Sequence, residues 1–205
     1  LIRTLYWGFA MRLNVLLSEI RSCTICAEHL PLGPRPLLQA ASSARLLIIG
    51  QAPGSVAHNT GIAWNDRSGQ RLREWLGIDD DTFYDPKRVA LVPMGFCFPG
   101  TGKGGDLPPR PECAQAWHER LQSALKKIEL TILVGRYALE HNIDGRFGTL
   151  TEAVAAWTDL LPELIALPHP SPRNNRWLAK NPWFERDTLP ALRDRVREIY
   201  SPPAT

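Results

Sequence analysis

The chain has 205 residues, of which 44% are hydrophobic and 22% charged, with a formal net charge of +3. That is long enough to bury a sizeable core and has the composition of an ordinary soluble globule. It excludes a bilayer-spanning segment, since no run reaches roughly 18 apolar residues, and its mild basicity fits nucleic acid without arguing for it.

In chain order, residues 1–10 (LIRTLYWGFA) are apolar. They lack the basic start, long apolar stretch and cleavage site of an export signal. We read 1–205 as one domain, with 1–10 a non-core extension. Without an export signal the expected compartment is a reducing cytoplasm, where disulfides are rare and a C-x2-C pair is a ligand or redox pair.

Residues 12–29 carry apolar positions Leu13, Val15, Leu16, Leu17 and Ile20, which predicts a helix running into Cys23–Cys26. Pro31, Gly33, Pro34 and Pro36 predict a loop over 30–43. Arg45 to Gly50 is an apolar run stopped by glycine, the pattern of a buried parallel strand. Ser68 to Leu76 has helical spacing, and Val89 to Pro93 predicts a second strand. A helix opened by proline is predicted over Pro111 to Ile128, then a strand over Leu130 to Gly135 and a short helix over Arg136 to His141. Leu164 to Leu167 predicts a fourth strand, and Pro182 to Tyr200 a last helix that Pro190 breaks or restarts.

Strand alternating with helix four times predicts an α/β fold, a three-layer αβα sandwich around a four-stranded, mostly parallel sheet. In such sheets ligands bind at the carboxyl ends of the strands. Two segments there are rich in special residues: Gly50-Gln51-Ala52-Pro53-Gly54, and His169-Pro-Ser-Pro followed by Arg173-Asn174-Asn175-Arg176. The first is neither a dinucleotide fingerprint nor a P-loop. It is either a generic strand-to-helix turn or a loop that lets a ligand approach the backbone. In the second, a histidine between prolines is rigidly aimed and can stabilise an anion. Two arginines and two amides after it suit phosphate and base contacts, although a polar exposed loop has the same composition. Trp64 is either a platform for a planar ring or a plug under its loop. His58 and Asp66 flank it and can act on water. His29, His118 and His141 read as structural or solvated.

All four cysteines of the chain are Cys23, Cys26, Cys97 and Cys113. Four soft thiolates suit zinc or an iron–sulfur cluster. The second pair is split by fifteen residues, which fits a cluster bridging separate elements better than a zinc site with two close pairs.

Taken together, these residues resemble the uracil-DNA glycosylase superfamily over roughly residues 20–198, and most closely its iron–sulfur branch, often called family 4. The C-x2-C near the N-terminus, the cysteine after the second core strand and the sixteen-position step from Cys97 to Cys113 match that branch. Gly50–Gly54 matches the superfamily's first motif and His169-Pro170-Ser171 its second. The longer stretch to Asn174 also resembles the single-strand-selective branch.

The resemblance implies a 4Fe–4S cluster on Cys23, Cys26, Cys97 and Cys113. It implies a damaged base flipped out of DNA into the crevice, with Gln51, Ala52, Pro53, Gly54 and Trp64 around it. His169 would bond the uracil O2 and stabilise the departing anion, assisted by Gln51 and His58. Ser171, Pro172, Arg173, Asn174, Asn175 and Arg176 would press into the DNA. No lysine in the motif loops means no Schiff base, hence a monofunctional enzyme of base-excision repair, acting as a monomer.

The departures are specific. Gln51 stands where family 4 enzymes commonly carry glutamate, and Ala52 where other branches place Asp or Asn. The asparagine that reads uracil is replaced near Pro93 or Met94. Either His58 or Asp66 activates water, or anion stabilisation suffices, or the base is not uracil, or nothing is excised. The rivals are therefore a non-catalytic damage-binding member of the superfamily and a zinc-stapled nucleotide hydrolase.

Overall fold

The computed structural model describes residues 13–143 and 145–201. The extension read at residues 1–10 lies outside the described residues. The strands are β1 (Leu46–Ile49), β2 (Val89–Leu91), β3 (Thr101–Gly102), β4 (Gly105–Asp106), β5 (Leu130–Val134) and β6 (Leu164–Leu167). Four of them form one all-parallel sheet in the order β2-β1-β5-β6. The other two pair as a small antiparallel hairpin.

The sheet forms where the chain is continuously apolar. Every residue of β1 and β2 is buried, so helices and loops must cover both faces. Leu46, Ile48, Ile49, Val89, Ile132 and Ile165 are each no more than 1% exposed. Burying such a side chain contributes about 1.5–3 kcal/mol each. The helix Arg67–Leu76 begins at Asp66, whose carboxylate accepts the Gly69 N–H at 2.8 Å, and ends on Gly77 at φ +67°. Its apolar face (Leu72, Trp75, Leu76) packs with the last helix, Leu189–Tyr200, which turns in Leu192, Val196 and Ile199. Among the described residues no helix is long and apolar enough to cross a membrane.

Several expected boundaries move. The first helix ends at residue 21, because the Cys23–Cys26 segment turns and then tightens into the 3-10 turn Ala27–His29. The helix opened by Pro111 widens to a π turn over Ala114–His118 and stops at Ala124, where Leu125 leaves helical space at ψ 65°. At Pro190 the helix restarts, as expected: the last α-helix, Leu189–Tyr200, has the proline in its first turn. A π turn over Phe184–Thr188 precedes it, and Thr188 stays helical at φ −70°, ψ −45°. Short helices at Ser55–Thr60, Asp80–Phe83, Leu150–Ala155, Trp157–Leu160 and Asn175–Lys180 were not expected from spacing, nor was the β3–β4 hairpin.

Candidate functional site at the carboxyl ends of the strands

A cavity of about 460 Å³ opens at the carboxyl ends of the strands. The loop after β1 forms one wall, the loop after β6 another, and the β3–β4 hairpin a third. Pro93, just beyond β2, and Trp64 contribute apolar surface.

Trp64 is the only non-glycine among the described residues with positive φ, at 57°. That conformation is strained for a bulky residue and needs support. Its carbonyl accepts hydrogen bonds from Arg73 and from the Tyr84 hydroxyl, both at 3.3 Å. Gly69 lets the carbonyl in, since a Cβ there would lie 1.7 Å from the Trp64 oxygen. Gly50 makes room for the indole, where a Cβ would meet Cζ2 at 2.8 Å. So supported, the indole stacks on His169, with ring centroids 5.7 Å apart and planes 28° apart.

His169 leaves β6 through Pro168 and is held by its own loop. The Ser171 N–H donates to Nδ1 at 3.2 Å, and Asn174 Nδ2 donates to the His169 carbonyl at 2.7 Å. A ring nitrogen that accepts carries no proton, so the neutral ring has its proton on Nε2. Desolvation pushes the His169 pKa down, against the pull of Asp66 and Asp106, and favours that neutral form. The result is a fixed, uncharged N–H donor at the cavity.

The first loop supplies shape rather than charge. Ala52, Pro53 and Gly54 line the cavity, and Gln51 Nε2 donates to the Leu107 carbonyl at 2.8 Å. Gln51 thereby ties the loop to the end of the hairpin. Arg173 ties it from the other side, donating to the Gly104 carbonyl at 2.7 Å. Gly105 takes a φ of +123° that favours glycine, and the space a Cβ would fill is occupied by the Arg173 guanidinium, 1.9 Å away. Between these anchors the hairpin presents Asp106 to the cavity, a residue that carries no motif signal in the sequence.

The structure gathers Gln51, Ala52, Pro53, Gly54, Trp64, His169, Ser171, Arg173 and Asn174 around one cavity, with Asp66 at its edge. It does not gather His58, whose buried ring lies beside Phe98, centroids 6.1 Å apart, on a side of the helix Ser55–Thr60 that does not line the cavity. Pro172, Asn175 and Arg176 also stay outside. They are exposed, with Asn175 accepting from Arg71 at 2.8 Å.

The four cysteines come from the end of the first helix, the loop after β2 and the helix opened by Pro111. Cys26, Cys97 and Cys113 are buried and Cys23 is half-buried, all as free thiols. The four are close enough to perturb one another electrostatically, and Cys26 hydrogen-bonds Cys113. The sulfur of Cys97 accepts from the backbone of Arg35, and that of Cys113 from the backbone of Phe96. Burial pushes the Cys97 thiol up to about 11 and the Cys113 thiol up to about 12. Among the described residues, no three Cys, His, Asp or Glu side chains are grouped around a point that one metal ion could occupy.

The sequence model of one family, described as Uracil DNA glycosylase superfamily, matches residues 38–193. The match spans well over half the chain, runs from before β1 into the last helix, and takes in the whole cavity.

Proposed function

Since the chain belongs to the uracil DNA glycosylase superfamily, we propose that it is a monofunctional DNA glycosylase that hydrolyses the N-glycosidic bond of uracil or a related deaminated base. The observation that carries this is His169: a neutral imidazole on the cavity wall, held by Ser171 and Asn174, with Nδ1 engaged and the proton left on Nε2. Cleavage leaves negative charge on the departing base and positive charge on the sugar. A preorganised donor that is stronger toward the anion than toward the neutral base lowers the barrier. Trp64 supplies the aromatic face against which a flipped base stacks. Arg173 lines the cavity, and the exposed Arg176 that follows it in the chain and Lys103 in the β3–β4 hairpin suit phosphate contacts.

The cysteine spacing resembles that of the superfamily's iron–sulfur branch, and we infer a 4Fe–4S cluster on the four thiols. What supports a cluster over zinc is the sequence: the second cysteine pair is split by fifteen residues, where a structural zinc site has two close pairs. Cys23, Cys26, Cys97 and Cys113 would hold it, the two backbone N–H donors to sulfur would tune it, and its contribution is to tie the N-terminal helix to the core. Loading it must displace protons from the raised thiols of Cys97 and Cys113.

The test is excision from oligonucleotides carrying uracil, hypoxanthine, xanthine or hydroxymethyluracil, single- and double-stranded. We expect abasic product from at least one of them. DNA binding with no abasic product from any would support a damage-binding protein instead, a reading favoured by Gln51 and Ala52 at positions where relatives carry reactive side chains.

A further inference from the structure

The first-loop positions hold Gln51 and Ala52, neither of which can take a proton from water, and His58 is turned out of the cavity. Of the two carboxylates on the cavity wall, Asp66 already spends one oxygen on capping its helix. Asp106 is held less tightly: its Oδ1 accepts from the Thr101 hydroxyl at 3.3 Å, against 2.8 Å for the cap at Asp66, and neither carboxylate forms an ion pair among the described residues.

Its second oxygen points at the first loop. A Cβ on Gly54 would lie 3.1 Å from Oδ2, so the glycine is what leaves space there. The hairpin that carries Asp106 is fixed at both ends: Thr101 pairs with Asp106 in register, Leu107 N–H donates to the Gly100 carbonyl at 2.8 Å, and Gln51 and Arg173 hold the two sides. The loop residue that lacks a carboxylate thus helps position the residue that has one. Both carboxylates interact electrostatically with His169, Asp66 the more strongly, so this coupling does not separate them.

We propose that Asp106 is a catalytic residue, the carboxylate that orients and deprotonates the attacking water. This rests on the glycosylase reading above. The bond between C1′ and the base nitrogen breaks, and its electron pair leaves with the base, held by the His169 Nε2–H. The water oxygen bonds to C1′. One water proton passes to Asp106 and on to solvent, and the base anion takes its proton from solvent. Until water arrives, the same negative charge stabilises the positive sugar.

The experiment measures single-turnover excision and equilibrium binding for the wild type, Asp106→Asn and Asp66→Ser, on the oligonucleotide set named above. Serine keeps the cap at position 66 while removing its charge. We expect Asp106→Asn to lose about 100-fold or more in rate, with affinity within about threefold of wild type and a smaller rate loss in Asp66→Ser. An active wild type with Asp106→Asn at the same rate overturns this assignment and leaves the glycosylase reading standing. A larger loss in Asp66→Ser overturns it too, in favour of Asp66. An inactive wild type overturns both.

Discussion

The indole of Trp64 lies on the imidazole of His169, with centroids 5.7 Å apart and planes 28° apart, so in this state the two rings occupy each other's face. A base that stacks on Trp64 must share that face with His169 or displace it, and the cavity that both rings line is where it would go. Stacking on an aromatic contributes about 1–3 kcal/mol per base.

Trp64→Ala is therefore expected to weaken binding to lesion-containing DNA by roughly five- to 150-fold, while binding to undamaged DNA stays near the wild-type value. Titration of both oligonucleotides by fluorescence anisotropy separates these cases. Equal affinity for the lesion in the variant would make Trp64 a plug beneath its loop.

The strained backbone of Trp64 gives a second prediction, on stability. Gly69→Ala drives a Cβ into the Trp64 carbonyl, 1.7 Å away, and that carbonyl is held from the other side by Arg73 and Tyr84. Relief requires moving either the helix or the loop, at about 1–3 kcal/mol. Gly104→Ala, with nothing within 4 Å of its added Cβ, is expected to change stability by less than about 0.5 kcal/mol. Urea unfolding of the pair checks the contrast, and two indistinguishable midpoints would count against it.

For His169→Ala the expected loss is mainly in the rate of excision. Removing one preorganised donor to a developing anion costs about 10²–10³-fold, whereas the ground-state base gains little from it. Single-turnover rates should drop by that factor with affinity nearly unchanged. A proportional loss in both would mean that His169 binds rather than catalyses.

The strands were legible because they are buried on both faces. Leu46–Ile49 and Leu164–Leu167 read as apolar runs ended by Gly50 and Pro168, and such runs have few other places to go. The two loops after them were legible for the same reason, since the carboxyl ends of strands are where a parallel sheet leaves a crevice. The β3–β4 hairpin was not. Its sequence, Thr-Gly-Lys-Gly-Gly-Asp, has no apolar alternation, and it is pinned by Gln51 and Arg173, roughly fifty and seventy residues away in the chain. Asp106 was invisible with it. His58 reads like a site residue beside the first motif, but the helix Ser55–Thr60 that starts on Gly54 rotates it against Phe98. A polar six-residue helix gives no periodic signal, and the turn of that helix decides which of its residues see the cavity.

The cysteines carry a prediction independent of activity. The purified protein should be brown, with broad visible absorption and about four irons per chain. Cys113→Ser should lose most of that absorption and destabilise the contact between the first helix and the core. A colourless protein holding one zinc would refute the cluster.

The last prediction concerns His118, which is 1% exposed behind the cavity floor. It stacks on Phe96 and bonds through Nε2 to the Pro93 carbonyl at 3.0 Å, and its Nδ1 has no partner. A carbonyl only accepts, so Nε2 carries the proton and the ring is neutral. Burial pushes its pKa from the ordinary 6.5 down to about 4, with the nearby His141 adding to the drop. Below 6.5 the unfolded chain binds a proton that the folded one refuses until about 4. The unfolded state therefore holds more protons in that window, and stability rises with pH across it. The full effect, about 3 kcal/mol, is present above pH 6.5 and is lost as the pH falls towards 4. Urea midpoints between pH 4.5 and 7.5 should follow this slope in the wild type and flatten in His118→Gln. An equally steep curve in the variant would assign the acid sensitivity to other groups. Because His118 holds the carbonyl of Pro93, a cavity residue, the variant should also shift excision, whereas a purely structural histidine would alter the unfolding curve alone.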